Sequence, residues 1–348
     1  MCVALFVGWF PKEGEVNTSF LRFNALCKLV DKVDKLNMYY ADINLKYRVI
    51  NRLFRSGLPL YLPDLLDVNK EIIRLVKTYS YDLIWIEKGL VLYPSTLREI
   101  KKIQPNVQIV GYSPDLMTAR HNQSLQFIKS FPYYDCYVTT KSYAVDDMYK
   151  LGCKKVIYQG NAYLDDFHYP REISEMDYQR LAGDIGFIGA WEEERAESIL
   201  YLVQHGVPVR IWGDKKWLQY QNKYPLLKIE GAGLFTDDYC IALSAFKISL
   251  CFLRKMNFDQ QTQRSIEIPA CQGFMLAERT QEHLDLFEEN KEACYFSSNE
   301  ELLEKCKYYL QHEEERLSIA KAGRQRCINS GYSYVKRIES VLNKLNLI

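Results

Sequence analysis

Asp259 and Glu267 stand eight positions apart in the run Asp259-Gln-Gln-Thr-Gln-Arg264-Ser-Ile-Glu267-Ile-Pro-Ala-Cys-Gln-Gly273-Phe-Met-Leu-Ala-Glu278. That spacing lets the segment begin as a loop and finish as a turn of helix, where Arg264 and Glu267, three apart, share one face. Gly273 is expected to take the left-handed conformation that closes a helix, and residues 274–277 to form a buried strand. A helix that starts at a cleft in this way offers its amide dipole and the Arg264 cation to a diphosphate. The Glu267 carboxylate offers two acceptor oxygens to a pair of sugar hydroxyls. Together these are the groups that a nucleotide-sugar ligand requires.

The elements that must position such residues alternate along the chain. Apolar runs at 3–7, 81–86, 107–112, 136–139 and 155–158 read as strands, separated by helical patterns at 20–32, 70–78, 94–104 and 143–151. A polar stretch from Asp165 to Gly183 breaks the rhythm and is read as a linker. It then restarts with strands at 185–189, 209–213, 247–252, 274–276 and 294–296, and helices at 192–204, 301–310 and 314–329. Ser298 and Glu301 form a capping box at the start of one of these helices. The expectation is an α/β chain of two Rossmann-like, doubly wound domains facing each other across a cleft. The N-terminal domain is placed at 1–168, on the acceptor side, and the C-terminal, nucleotide-sugar domain at 183–332. A tail helix at 333–348 packs back on the first half. Ligands in such sheets lie beyond the carboxyl ends of the strands, which draws attention to Gly8, Glu87, Asp115, Thr140, Gly189, Gly213 and Arg254.

Composition bounds the possibilities. The 348 residues are 48% hydrophobic and 26% charged with a net charge of +1, the make-up of a soluble globular chain with ample core. No basic stripe marks a nucleic-acid partner, and no apolar run reaches the length of a membrane span. The start is too short and too little basic for a secretion signal. None of the ten cysteines forms a Cys-x2-Cys pair and most sit in apolar runs, so they read as reduced core thiols of a cytoplasmic protein.

The segment Arg264 to Leu276, with Glu278-Arg279-Thr and His283 after it, resembles the GT-B glycosyltransferases, in particular their CgeB-type, spore-maturation-like branch. Leu286-Phe-Glu-Glu-Asn-Lys-Glu292-Ala-Cys-Tyr-Phe-Ser, Arg316-x-x-Ile-Ala-x-Ala-Gly323-Arg324, Tyr112-Ser-Pro-Asp115, Thr139-Thr-Lys141 and Phe187-Ile-Gly189 also fit that pattern. The resemblance covers essentially the whole chain and is strongest from about 185 to 335. It implies that Glu267, the second acid of a Glu-x7-Glu motif, holds the ribose of the donor. Asp259 occupies the place of the first acid, beside the transferred sugar, and is a departure because it is the shorter carboxylate. Gly189 is followed by Ala190 where the family has arginine, and Arg195 stands at the family's lysine position, both toward the diphosphate. Arg254 and Arg264 are the replacement cations.

The expected activity is therefore transfer of a sugar from a UDP- or GDP-linked donor to an acceptor (glycan, lipid-linked or protein), with no separate cofactor and no metal. Such hexosyl or related transfer falls in class EC 2.4. Cations after the strand at 247–252, Arg254-Lys255, suit a leaving diphosphate. The acid-x7-acid spacing leans toward a retaining enzyme; an inverting one needs a base, for which Asp115, Glu87 and then His121 are candidates. Gly213 completes the nucleotide set, and Trp212 or Tyr239 is a stacking partner for the base. Plainer roles exist for each: a surface ion pair for Arg264–Glu267, a turn residue after proline for Asp115, a solvated helix face for Arg195. A nucleotide-sugar epimerase or a non-catalytic coat-assembly protein on the same fold remain the alternatives.

Overall fold

In the computed structural model of the protein, which describes residues 2–39 and 44–348, the chain divides into two compact units. Met1–Gly160 and Tyr334–Ile348 form the first, Asn161–Ser333 the second.

The first unit is built on six parallel strands, β1 (Val3–Gly8), β2 (Lys32–Asn37), β3 (Leu83–Glu87), β4 (Gln108–Ser113), β5 (Cys136–Thr139) and β6 (Val156–Tyr158), in the order β2-β1-β3-β4-β5-β6. β3 is buried along its whole length, as expected of a strand covered on both faces. The helix Val68–Thr78 turns Val68, Ile72 and Val76, each four apart, into the core. Pro94 opens the helix Pro94–Ile103 where its missing N–H is not needed. The terminal helix Tyr334–Lys344 packs on the helix Thr18–Cys27. The helix expected at 20–32 thus stops at Cys27, and Lys32 begins an edge strand. Its sequence Lys-Val-Asp-Lys-Leu-Asn is polar because one side of the ribbon meets water, which hid it.

The second unit repeats the plan with β7 (Gly183–Ile188), β8 (Val209–Trp212), β9 (Leu227–Ile229), β10 (Phe246–Cys251), β11 (Met275–Glu278) and β12 (Cys294–Phe296), ordered β12-β11-β10-β7-β8-β9 and again all parallel. The chain leaves β7 in one direction and β10 in the other, so the switch point lies between these two strands. One face of the sheet packs Phe187, Ile211 and Leu276 with the helices Glu193–Gln204 and Asn299–Gln311. The other packs Ile188, Trp212 and Met275 with the helices Asp237–Ala245 and Arg264–Ala270.

Three local expectations need correction. The stretch 165–183 is not a bare linker: it contains the helix Glu175–Leu181, capped by Ser174, and it buries Leu181 in the core of the second unit. The helix Arg264–Ala270 closes with Gln272, not Gly273, in the left-handed region. Gly273 is required for space instead, since a Cβ there would stand 2.6 Å from the Leu243 carbonyl oxygen. At Ser298–Glu301 the hydroxyl accepts from the Glu301 amide, but the glutamate carboxylate accepts from the Ser297 amide, one residue before the position a capping box uses.

Candidate functional site

Glu267 lies in the first turn of the helix Arg264–Ala270, which follows β10. It is only 5% exposed. Its Oε2 accepts the Tyr239 hydroxyl at 2.5 Å, and its Oε1 is 3.5 Å from Nε2 of His168. Nδ1 of His168 accepts the Leu164 N–H at 3.0 Å, and because an amide can only donate, the ring proton of the neutral imidazole sits on Nε2, facing the carboxylate. Burial pushes the Glu267 carboxyl up to about 7, against the Tyr239 hydrogen bond and the Arg264 charge. Burial likewise pushes His168 down to about 3. A carboxyl held near neutrality, with one strong donor and one distant one, is poised to take further donors.

The helix that carries Glu267 is pinned at its start. Ser265 Oγ accepts the Thr262 amide at 2.9 Å and lies 2.7 Å from Nε2 of His283, whose Nδ1 is 2.6 Å from the Glu278 carbonyl oxygen. The carbonyl fixes the proton on Nδ1, so the serine hydroxyl donates to Nε2. Both side chains are fully buried, and they tie the helix to the end of β11. With seven residues the helix contributes little dipole of its own, and Arg264 carries the positive charge of this turn.

Arg264 is half-buried with its Nε enclosed and without a hydrogen-bond partner; its Nη2 lies 3.5 Å from the Phe252 carbonyl. Arg195 differs. It is buried, and it donates from Nε and Nη2 to the Leu253 carbonyl and from Nη1 to that of Ala190. Burial first, and then the charge of Arg264, bring its pKa down to about 10. Arg195, expected at the diphosphate, therefore ties the end of β10 to the loop after β7. Arg254 is exposed and paired through Nε with Glu192 Oε1 at 3.1 Å, while Glu192 Oε2 accepts the Lys255 amide at 3.3 Å. Lys255 itself pairs with Glu278. Asp259 is half-buried in the same loop, and its amide donates to the Arg254 carbonyl at 3.2 Å.

The glycines expected to face a nucleotide have packing roles. Gly189 donates to the Trp212 carbonyl at 2.9 Å and accepts from the Trp217 indole at 2.9 Å. A Cβ on Gly213 would meet the Gly189 carbonyl at 2.4 Å, so the two strand ends close on each other. The helix after Gly189 opens with Glu192, Glu193 and Glu194, three carboxylates that oppose an anion at its N-terminus. Of the two expected stacking partners, Trp212 is buried under the Arg210 guanidinium at 4.6 Å, whereas Tyr239 binds Glu267 through its hydroxyl and keeps a partly exposed ring. Over the carboxyl ends of β10, β11 and β12 opens a groove of about 370 Å3 lined by Arg195, Lys255, Arg279 and Ser298.

In the first unit, Glu87 does not stand as a base. Both its oxygens are held by buried Arg22, Nε to Oε1 at 2.9 Å and Nη2 to Oε2 at 2.6 Å, and Oε1 also accepts the Trp85 indole at 3.0 Å. Asp115, beyond β4, pairs with Lys88 beyond β3. Lys88 itself has a left-handed backbone, φ 57°, unusual for a side chain with Cβ and a mark of a constrained site. His121 has its Nε2 enclosed without a partner. The sequence reading missed His168, Lys88 and the role of Tyr239; of these only Lys88, beside a strand end and before a glycine, carried a local signal.

Residues 194–343 match a model of the glycosyl transferase-like family. No curated protein matches the chain in sequence. Solved structures share its fold. HepE (Alr3699) from Anabaena, in complex with UDP and glucose, aligns over 100% of both chains with TM-score 0.66 and 12% identity. Sucrose-phosphate synthase (tll1590) from Thermosynechococcus elongatus aligns over 99% of each with TM-score 0.66 and 12% identity. A putative UDP-N-acetylglucosamine 2-epimerase from Listeria monocytogenes covers 98% of this chain and 94% of its own, with TM-score 0.55 and 12% identity. At these identities the likeness establishes the fold alone, an α/β chain of two Rossmann-like units.

Proposed function

We propose that the protein is a glycosyltransferase that moves a sugar from a UDP- or GDP-linked donor to a glycan, lipid-linked or protein acceptor. The observation that carries this reading is the pair Glu267 and Arg264 on one turn of helix beside the switch point of the second sheet. The carboxylate is buried with room in its donor set, and the guanidinium keeps an enclosed Nε unsatisfied. A ribose diol supplies two donors to the first; a diphosphate supplies acceptors to the second. The family match over 194–343 and the UDP held by the Anabaena neighbour support the same assignment.

In this mechanism Arg264, joined by Arg254 once it leaves Glu192, meets the charge that grows on the departing phosphate, a role that needs no metal. Glu87 is locked and Asp115 is paired with an ammonium, so neither is a strong base as placed. That favours a retaining reaction in which the leaving phosphate takes the acceptor proton, with Asp259 beside the sugar. The CgeB-type motifs and the ten free thiols, nine of them buried, suit a member of that branch working in the cytoplasm.

The test is nucleotide release from a panel of UDP- and GDP-sugars, comparing wild type with Glu267→Ala. Loss of release and of nucleotide binding in the variant is expected; unchanged affinity overturns the assignment. The Listeria neighbour favours one second reading, an epimerase. It predicts an isomerised donor, without net nucleotide release, when no acceptor is present. A non-catalytic protein would show no thermal shift with any nucleotide.

A further inference from the structure

The helix Leu45–Arg55 turns its apolar stripe the wrong way for a core. Leu45, Val49 and Leu53, spaced i, i+4 and i+8, are 76%, 51% and 42% exposed, and the one buried residue of the helix is Phe54. Phe54 lies on the opposite side of the helical wheel, toward the body of the first unit, where Arg55 Nη1 donates to the Asn122 side chain at 2.9 Å. Three exposed aliphatic side chains in register on one helix are a patch, not the scattered single residues that soluble surfaces tolerate. Cations border the stripe on both sides: Arg48 and Arg52 along one edge, Lys46 along the other. The helix contains no acidic residue.

We infer that this helix docks the first unit on an anionic phospholipid surface, lying flat with Leu45, Val49 and Leu53 in the headgroup–acyl boundary and its basic side chains among the lipid phosphates. An amphipathic helix with a strongly cationic polar side and an exposed aliphatic side is the form that binds in the plane of a bilayer. The charge argues for lipid over a protein groove. A ridge flanked by long cationic side chains on both edges matches a plane of negative charge, and those side chains can snorkel upward while their stems cover apolar area. An amphipathic helix of eleven residues lying in the interface gives a peripheral association. The inference stands apart from the nucleotide-sugar reading, because it uses none of the residues of the second unit.

Sedimentation of the full-length protein with vesicles tests it. Wild type is expected to sediment with vesicles of equal parts phosphatidylglycerol and phosphatidylcholine, and about tenfold more weakly with phosphatidylcholine alone. Added salt is expected to weaken the binding. Leu45→Asp/Val49→Asp/Leu53→Asp is expected to abolish sedimentation while the protein still unfolds in one cooperative transition, because none of the three positions belongs to the buried core. Arg48→Gln/Arg52→Gln is expected to remove most of the preference for anionic vesicles. Failure of the wild type to bind, or binding by the triple variant equal to wild type, overturns the inference. So does a change in oligomeric state on the triple substitution, which would make the stripe an interface between copies of this chain.

Discussion

Tyr239 donates its hydroxyl to Glu267 across 2.5 Å, so the carboxylate expected to grip a ligand is already half-gripped by its own fold. That bond holds the buried acid in one rotamer and partly offsets its desolvation. Tyr239→Phe removes the donor with little change of shape. The carboxyl should then titrate higher, and UDP affinity at neutral pH should fall by about tenfold, the weight of one hydrogen bond to a charged group. Calorimetric titration across pH checks both, since the midpoint of the binding profile should move up with the acid.

Glu267 and His168 pull stability in opposite directions with pH. Glu267 titrates near 7 when folded against its usual 4.5, so its contribution is full below 4.5, declines as pH rises and is gone above 7. His168 titrates near 3 against its usual 6.5, so its contribution is full above 6.5 and is lost as pH falls toward 3. Between 4.5 and 6.5 the two slopes offset. Glu267→Gln should unmask the histidine: relative to wild type, its stability should rise by about 3 kcal/mol from the lower to the upper edge of the 4.5–7 window. Urea unfolding on either side of that window measures it, and parallel curves for the two proteins would refute the pairing.

Arg264 and Arg195 should separate by readout. Arg264→Ala is expected to weaken UDP binding by at least about tenfold while shifting the denaturation midpoint little, since among the described residues its guanidinium makes one long hydrogen bond and a ring contact with Phe187 at 5.7 Å. Arg195→Ala frees the buried Leu253 carbonyl and removes the tie to that of Ala190, and is expected to cost about 1–3 kcal/mol of stability. Equal loss of stability in both variants would contradict this division.

Glu192 occupies the Arg254 guanidinium and the Lys255 amide, two donors that a diphosphate would use. Glu192→Gln is expected to tighten UDP a few-fold by removing a competing negative charge, with the largest gain at low ionic strength. Weaker binding in this variant would mean that the carboxylate orients the site and does not compete for it.

Glu87→Ala leaves the Arg22 guanidinium uncompensated in the core, and is expected to cost about 3–5 kcal/mol. The double change Arg22→Met/Glu87→Leu should recover much of that loss. Chemical denaturation of the three variants decides the matter; a mild effect of Glu87→Ala would reopen its candidacy as a base.

Much of the architecture was legible because parallel strands covered on both faces must be apolar throughout. β1, β3, β4, β7 and β10 all show as short, largely apolar runs. The edge strand β2 was not legible because its wet side carries polar residues, and β9, Leu227-Lys-Ile229, because three residues are too few to show a pattern. The helix Glu175–Leu181 was lost for the same reason as β2, its only buried residue being Leu181.

The amino-acid order by itself determined that Arg264 and Glu267 share a turn of helix between two buried strands, because helical spacing is local. It could not determine what surrounds them. Whether Glu87 is a base or a core ion pair depends on Arg22, 65 positions away, and whether Gly213 faces a ligand or a tryptophan depends on how β8 closes on β7. His168 reached Glu267 from a stretch that reads as a linker. Charge, protonation and burial are set through space by the partners that packing supplies, and those distances are fixed only when the chain has folded.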